Sequence, residues 1–114
     1  MVRSISGYIE LPGQLSPAIA GMVRIEARDT TVMDQPAPLL AEKMMPAVPL
    51  TPGARIPFRL DVPEAAGGQR LSLRVHIDMN GNGMTEPGDL LTTASYPLAA
   101  NGNQHMAVSV SIVK

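Results

Sequence analysis

Apolar and polar positions alternate with a period of two along most of this chain. In the run from Ser4 to Leu11, Ile5, Gly7, Ile9 and Leu11 share one face, and Pro12-Gly13 stops the run. From Met22 to Asp29, Val23, Ile25 and Ala27 point one way while Arg24, Glu26 and Arg28 point the other. Charge on every second residue suits a sheet with one wet face. Arg55 to Val62 repeats the pattern with Ile56, Phe58, Leu60 and Val62 inward. Pro57 inside that run marks an edge or a bulge, because proline gives a ladder no donor. Leu71 to Asp78 is the cleanest strand, with Leu71, Leu73, Val75 and Ile77 in an apolar row and Ser72, Arg74, His76 and Asp78 in a polar one.

Three further segments are read from weaker signals. Leu39 to Val48 is a strand, or a short helical turn followed by a strand, and Pro46 and Pro49 favour an edge position. Leu90 to Leu98 reads as a strand burying Leu90, Thr92, Ala94 and Tyr96. His105 to Val113 reads as the last strand, with Met106, Val108, Val110 and Ile112 inward. Ala65-Ala66-Gly67-Gly68 is a hairpin or a sheet-crossing loop. These elements predict an all-β fold, an antiparallel two-sheet sandwich of about seven strands, immunoglobulin- or transthyretin-like. A small β-barrel is the alternative. The chain has 114 residues, so residues 1–114 form one domain.

Composition narrows the function classes. Nine basic and ten acidic residues give a net charge of −1. They form no basic block, which argues against nucleic acid as a partner. Cysteine is absent, which excludes disulfides, thiol catalysis and thiolate metal sites. Tyr8, Tyr96 and Phe58 are the only aromatic residues, so no platform exists for stacking bases or sugars. The opening MVRSISGYIELPG has no apolar run, and no transmembrane segment is expected. The reading for location is periplasmic or outer-membrane-associated if an export signal precedes this sequence, and cytoplasmic otherwise.

One cluster of chemistry stands out. Asp78 to Asp89 reads DMNGNGMTEPGD, close to the calcium-loop pattern D-x-[DN]-x-[DN]-G-x5-E with Asp in place of the final Glu. Asp78, Asn80 and Asn82 offer side-chain oxygens, Met84 its backbone carbonyl, Glu86 a direct or water-mediated ligand, and Asp89 closes the site. Ca2+ is the expected ion, pinning a long connection between two strands. In the plainer reading Asn and Gly simply turn the chain, and the Asp78 and Asp89 carboxylates satisfy loop amides. His76, two residues before Asp78, is read as a surface residue of the polar face, with a base beside a metal as the alternative, and Glu26 and Asp29 are read as solvated charge. No serine sits in a nucleophile-elbow pattern and no phosphate loop is present, so an enzyme is not expected.

The eight methionines largely replace the missing aromatics as core filler. Met22 and Met106 are read as core. Met44 and Met45 lie beside prolines on a segment that is a candidate edge, and are the candidate partner-binding residues. Met33 is a further candidate for a soft peptide-binding groove.

Several pieces together resemble a known family. They are Ser6-Gly7-Tyr8-Ile9 running to Leu11-Pro12, Val23 through Asp29, Gly53-Ala54-Arg55-Ile56-Pro57-Phe58-Arg59-Leu60, Leu73 to Asp78, and Tyr96-Pro97-Leu98. In this order the chain resembles the small bacterial lipoprotein domain shared by the type III secretion pilotins, or lipoprotein chaperones, and an envelope lipoprotein group of undefined role. The resemblance implies an envelope β-sandwich that binds a protein partner without catalysis, with secretin escort in part of the family. It supplies no catalytic residues. The lipobox cysteine of that family has no counterpart in this sequence. The expected function is therefore a non-enzymatic cell-envelope domain that binds a protein partner, pilotin- or chaperone-like, with a calcium-stabilised loop. The alternative is a calcium-dependent extracytoplasmic module acting on or near glycans.

Overall fold

The computed structural model describes residues 2–32 and 34–114. Met33 therefore lies outside the described residues. Nine β-elements follow one another: β1 (Val2–Glu10), β2 (Ala18–Asp29), β3 (Leu39–Leu50), β4 (Arg55–Pro63), β5 (Leu71–Asp78), β6 (Leu90–Leu91), β7 (Pro97–Leu98), β8 (Gln104–Ser109) and β9 (Ser111–Ile112). They form a three-stranded sheet ordered β4-β1-β8 and a six-stranded sheet ordered β3-β2-β5-β6-β9, with β7 also on β5. The two open sheets make a sandwich and not a closed barrel. Among the described residues no helix is long and apolar enough to cross a membrane.

Alternation decides what is buried. Strand β4 alternates exposed and buried along its whole length, with Ile56, Phe58, Leu60 and Val62 inside and Arg55, Pro57, Arg59, Asp61 and Pro63 outside. It is an edge strand, which is where Pro57 is tolerated. Ile5, Ile9, Val23, Ile25, Ala27, Leu71, Leu73, Val75 and Ile77 complete the two inner faces. Such interdigitating rows supply most of the folding free energy, about 25 cal/mol per Å² of apolar area removed from water. Met106 packs against this core from a partly buried position, and Met22 is partly buried on β2.

Four expectations change in the structure. The sandwich is not wholly antiparallel: β8 runs parallel to β1, with Gly7 opposite Met106. The strands come so close there that a Cβ on Gly7 would sit 1.7 Å from the Met106 carbonyl oxygen. Second, the last strand is split. β8 belongs to the smaller sheet and β9 to the larger, and buried Val110 marks the crossing between them. Third, Leu90 to Leu98 is not continuous. Leu91 pairs with His76 and Pro97 with Ser72, so six steps on one chain face four on β5. The two extra residues bow outward, which exposes Ala94 and leaves Thr92 and Tyr96 only partly buried. Thr92 and the Tyr96 carbonyl still bond β5 through Val75 and Leu73.

The fourth change is on the polar face of the larger sheet, which is far drier than alternation implies. Glu26, His76 and Asp78 are all buried there. The antiparallel register sets Arg24 opposite His76, Glu26 opposite Arg74 and Met22 opposite Asp78. Opposite charges on neighbouring strands pair across the sheet, and the long guanidinium side chains cover the acids. The segment Ala65 to Gly68 carries the chain from β4 in one sheet to β5 in the other, the sheet-crossing role read from its composition.

Candidate functional site

The Asp78–Asp89 loop leaves the end of β5 and returns at β6. Asp78 is fully buried and its carboxylate accepts three hydrogen bonds. Gly81 N–H donates to Oδ1 at 3.0 Å, and Gly83 N–H and Arg24 Nη1 donate to Oδ2 at 2.7 and 2.9 Å. Asp89 mirrors it at the other end. Its Oδ1 accepts from Met79 N–H at 3.0 Å, and its Oδ2 from Glu86 N–H at 3.1 Å and His76 Nε2 at 2.9 Å. A carboxylate only accepts, so Nε2 of His76 carries the proton in this bond. Burial pushes the Asp89 carboxyl up, but the His76 bond and the two amides outweigh it and hold the group below its ordinary value of 3.8.

Between these anchors the loop turns through Gly81 and Gly83, both at positive φ. Asn80 Oδ1 accepts from Asn82 N–H at 3.4 Å, Asn82 Oδ1 from Met84 N–H at 3.0 Å, and Asn82 Nδ2 donates to Glu86 Oε1. The loop lies on β2 where Gly21 leaves room, and Gly21 N–H donates to the Met79 carbonyl at 3.0 Å. A Cβ on Gly21 would come within 2.7 Å of Gly81 N. The chain end closes the other side, with Val113 N–H donating to the Asp89 carbonyl at 2.8 Å and Gly88 N–H to the Val113 carbonyl at 2.9 Å.

Oxygens and nitrogens of His76, Asp78 and Asp89 lie within 4.8 Å of one another, a set whose residue types suit a metal. The sequence-read ligands divide here. Asp78 and Asp89 converge beneath the loop, while Asn80, Asn82, exposed Met84 and partly buried Glu86 form its outer part. The structure adds Arg24, which the sequence did not link to the loop, and seats His76, read mainly as a surface residue, in the buried cluster beneath it. Both stand on the same face and at opposed register positions, so the pattern R-x-E-x-R against R-x-H-x-D carried the signal.

A second ion cluster lies next to it. Glu26 accepts from Arg28 Nε and Nη2 at 3.1 and 3.0 Å and from Arg74 Nη1 at 3.2 Å. Burial raises the Glu26 carboxyl, and the two guanidiniums overcome that to hold it below its ordinary value of 4.5. Glu26 is thus the buried centre of a triad and not a solvated charge.

On the exposed face of the smaller sheet, Ser6 Oγ and His105 Nδ1 lie 3.3 Å apart. Asp61 bonds Ser4 there at 3.3 Å, so His105 gains no carboxylate to orient it. The shallow depression of about 420 Å³ above this pair is lined by Ser4, Ser6, Arg59, Asn103, Gln104 and His105. Its hydrogen-bonding groups lie at the surface, with Ser4 and Ser6 only partly buried and His105 exposed.

The methionine candidates fall on β3, a 12-residue edge strand. Met44 is 48 % exposed on its outer face, and Met45 faces the gap between the sheets, partly buried against the core. Pro46, Ala47 at φ 52 and Pro49 make the second half of the strand irregular. Strand β4 lies alongside without a ladder to β3, and a cleft of about 310 Å³ opens between them, lined by Glu42, Lys43, Arg59, Leu60 and Asp61.

No family model matches the chain, and no curated protein matches it in sequence. Among solved structures it is similar to an alternative pilotin from the type II secretion system of Vibrio cholerae, with a TM-score of 0.75. That likeness covers 100 % of this chain and 99 % of the other at 18 % identity, and it shows a pilotin-like fold.

Proposed function

We propose that this chain is a non-enzymatic cell-envelope domain that binds a protein partner, with a pilotin-like role in escorting a secretin subunit. The observation that carries the reading is β3, a long sheet edge that hydrogen-bonds to no strand but β2 among the described residues, with Met44 exposed at its middle and β4 across a cleft from it. Exposed edges are a liability that proteins normally blunt or use. The fold likeness to a type II secretion pilotin over the whole chain supports the role, and with it a periplasmic or outer-membrane-associated location. The earlier resemblance to the type III pilotins points the same way.

The test is a titration of the 15N-labelled domain with the secretin subunits of the same organism. Saturable perturbation centred on Met44 and Met45 is the expected result. An unchanged spectrum with every secretin subunit removes the pilotin role.

A further inference from the structure

We propose that the free edge of β3 captures its partner by strand addition, and that the captured segment reads apolar–acidic–basic from N- to C-terminus. This deepens the partner-binding reading and rests on it.

The first step is which backbone groups are free. Asp29 N–H donates to the Pro38 carbonyl and Thr30 N–H to the Arg70 carbonyl, so from Met22 to Asp29 the odd-numbered residues of β2 face β3 and the even-numbered ones face β5; Gly21, beyond this stretch, turns its N–H to the Met79 carbonyl instead. Val23, Ile25 and Ala27 therefore pair through their amides with Met45, Lys43 and Ala41. The intervening residues of β3, Glu42 and Met44, turn their N–H and C=O groups to the open edge. Pro46 falls in the same series, where its missing N–H costs the ladder nothing. The open edge thus offers both donors and acceptors at Glu42 and Met44 and loses its donor at Pro46. An extended backbone is the chemistry that satisfies such a row.

The second step is charge. Glu42 lies on the outer face, opposite Glu26, and Lys43 on the inner face, opposite buried Ile25. Neither Glu42 nor Lys43 takes part in an ion pair among the described residues. Glu26 already holds two guanidiniums by hydrogen bonds, and Glu42 feels Arg28 through its charge without pairing with it directly. A strand laid antiparallel on β3, the more stable of the two directions, meets Met44, then Lys43, then Glu42. Complementary residues in that order are apolar, acidic and basic.

A second copy of this chain fits poorly. Two-fold pairing about Lys43 sets lysine against lysine in the inter-sheet gap. Pairing about Met44 sets Glu42 against Pro46 and loses a donor at both ends. An inward-pointing lysine on an edge strand is a device against self-pairing.

The experiment uses the whole domain and two synthetic peptides of one composition. One carries a Val-Glu-Lys centre and the other Val-Lys-Glu. The matched peptide is expected to bind about tenfold more tightly, since two cross-strand pairs change from attraction to repulsion in the other. It should also slow hydrogen exchange at the Glu42 and Met44 amides. The double variant E42K/K43E should reverse the order of the two peptides, and M44P should fold yet lose affinity, because its amide is outside the β2 ladder. Equal binding of both peptides, unchanged exchange at Glu42 and Met44, or dimerisation through β3 in place of peptide binding would each overturn the proposal. A secretin subunit that perturbs Met44 and Met45 without protecting those amides leaves the partner-binding role intact and removes strand addition. Peptide capture in register, with no secretin bound, removes the pilotin role and keeps strand addition.

Discussion

Replacing Asp78 by alanine tests whether the loop is held by the protein itself. The carboxylate is 0 % exposed and accepts from Arg24, Gly81 N–H and Gly83 N–H. Hydrogen bonds to a charged group contribute roughly 1.5–3 kcal/mol each. The two glycine amides sit in an exposed loop, where water replaces most of what they lose. Arg24 keeps 18 % of its side chain in solvent, which tempers the loss of its partner. The net cost is about 3–4 kcal/mol, at the low end for breaking a buried ion pair. A domain of this size has roughly 5–15 kcal/mol in total, so the variant folds with a melting temperature lowered by about 15 °C. Thermal melting by circular dichroism reads the first number, and native-state hydrogen exchange at Gly81 and Gly83 reads the second effect. A fall of less than about 3 °C, with both amides exchanging as fast in the parent as in the variant, would show that the loop is merely solvated.

Four other outcomes follow from the same geometry. The Asp89 and Glu26 carboxyls titrate below their ordinary values of 3.8 and 4.5, so the stability they contribute is present above those values and is lost as pH falls through the folded-state values. Urea midpoints should hold from about pH 7 to 5 and drop below about pH 4, less steeply in D89N; an identical acid limb in D89N contradicts the assignment. A calcium ion at Asp78 has to displace Arg24 and compete with two amides, so millimolar calcium is expected to move the melting temperature by less than about one degree relative to chelator. A rise of several degrees that D78A abolishes would make the loop a calcium site. G21A drives a Cβ into Gly81 N and should cost about 1–3 kcal/mol, with new exchange confined to the loop; a neutral melt removes the close contact. Arg3 is 5 % exposed, yet among the described residues its Nε and Nη2 find no partner and Nη1 reaches the Gly102 carbonyl, so R3M should be neutral or raise the melting temperature, and a large loss would contradict it.

The inner faces were legible because a period of two needs no partner to be seen. Ile56, Phe58, Leu60 and Val62 stand alternately in sequence and are buried alternately in the structure. The edge character of β3 and β4 was legible for the same local reason, since proline announces a missing donor wherever it stands. What was hidden depends on register. Nothing within Leu90–Leu98 says that it faces a stretch of β5 two residues shorter, and only that mismatch bows Ala94 outward. Nothing within β8 says that it runs parallel to β1, although Gly7 stands where a side chain would strike Met106. His76 looked like a surface residue because its cover, Asp89, returns from a loop 13 positions later.

The polar face joins the two halves of the functional reading. Arg24 braces Asp78 on one side of β2, and its own register partner on the other side is Met44. Glu26 likewise ties Arg28 and Arg74 together and has Glu42 as its partner on β3. Strand β2 is therefore fastened by ions toward β5, and toward β3 by backbone bonds, apolar packing and the Arg28 guanidinium on the Ala37 carbonyl just ahead of β3. Breaking the Arg24–Asp78 pair should loosen the loop end of β2 without exposing the inner core, because Val23 and Ile25 remain at 0 % exposure on the opposite face. An edge strand hung on a rigid neighbour keeps its open amides in line, which lowers the ordering cost of accepting another strand. The buried ion clusters thus need no chemistry of their own to matter for binding; they hold straight the strand on which β3 hangs.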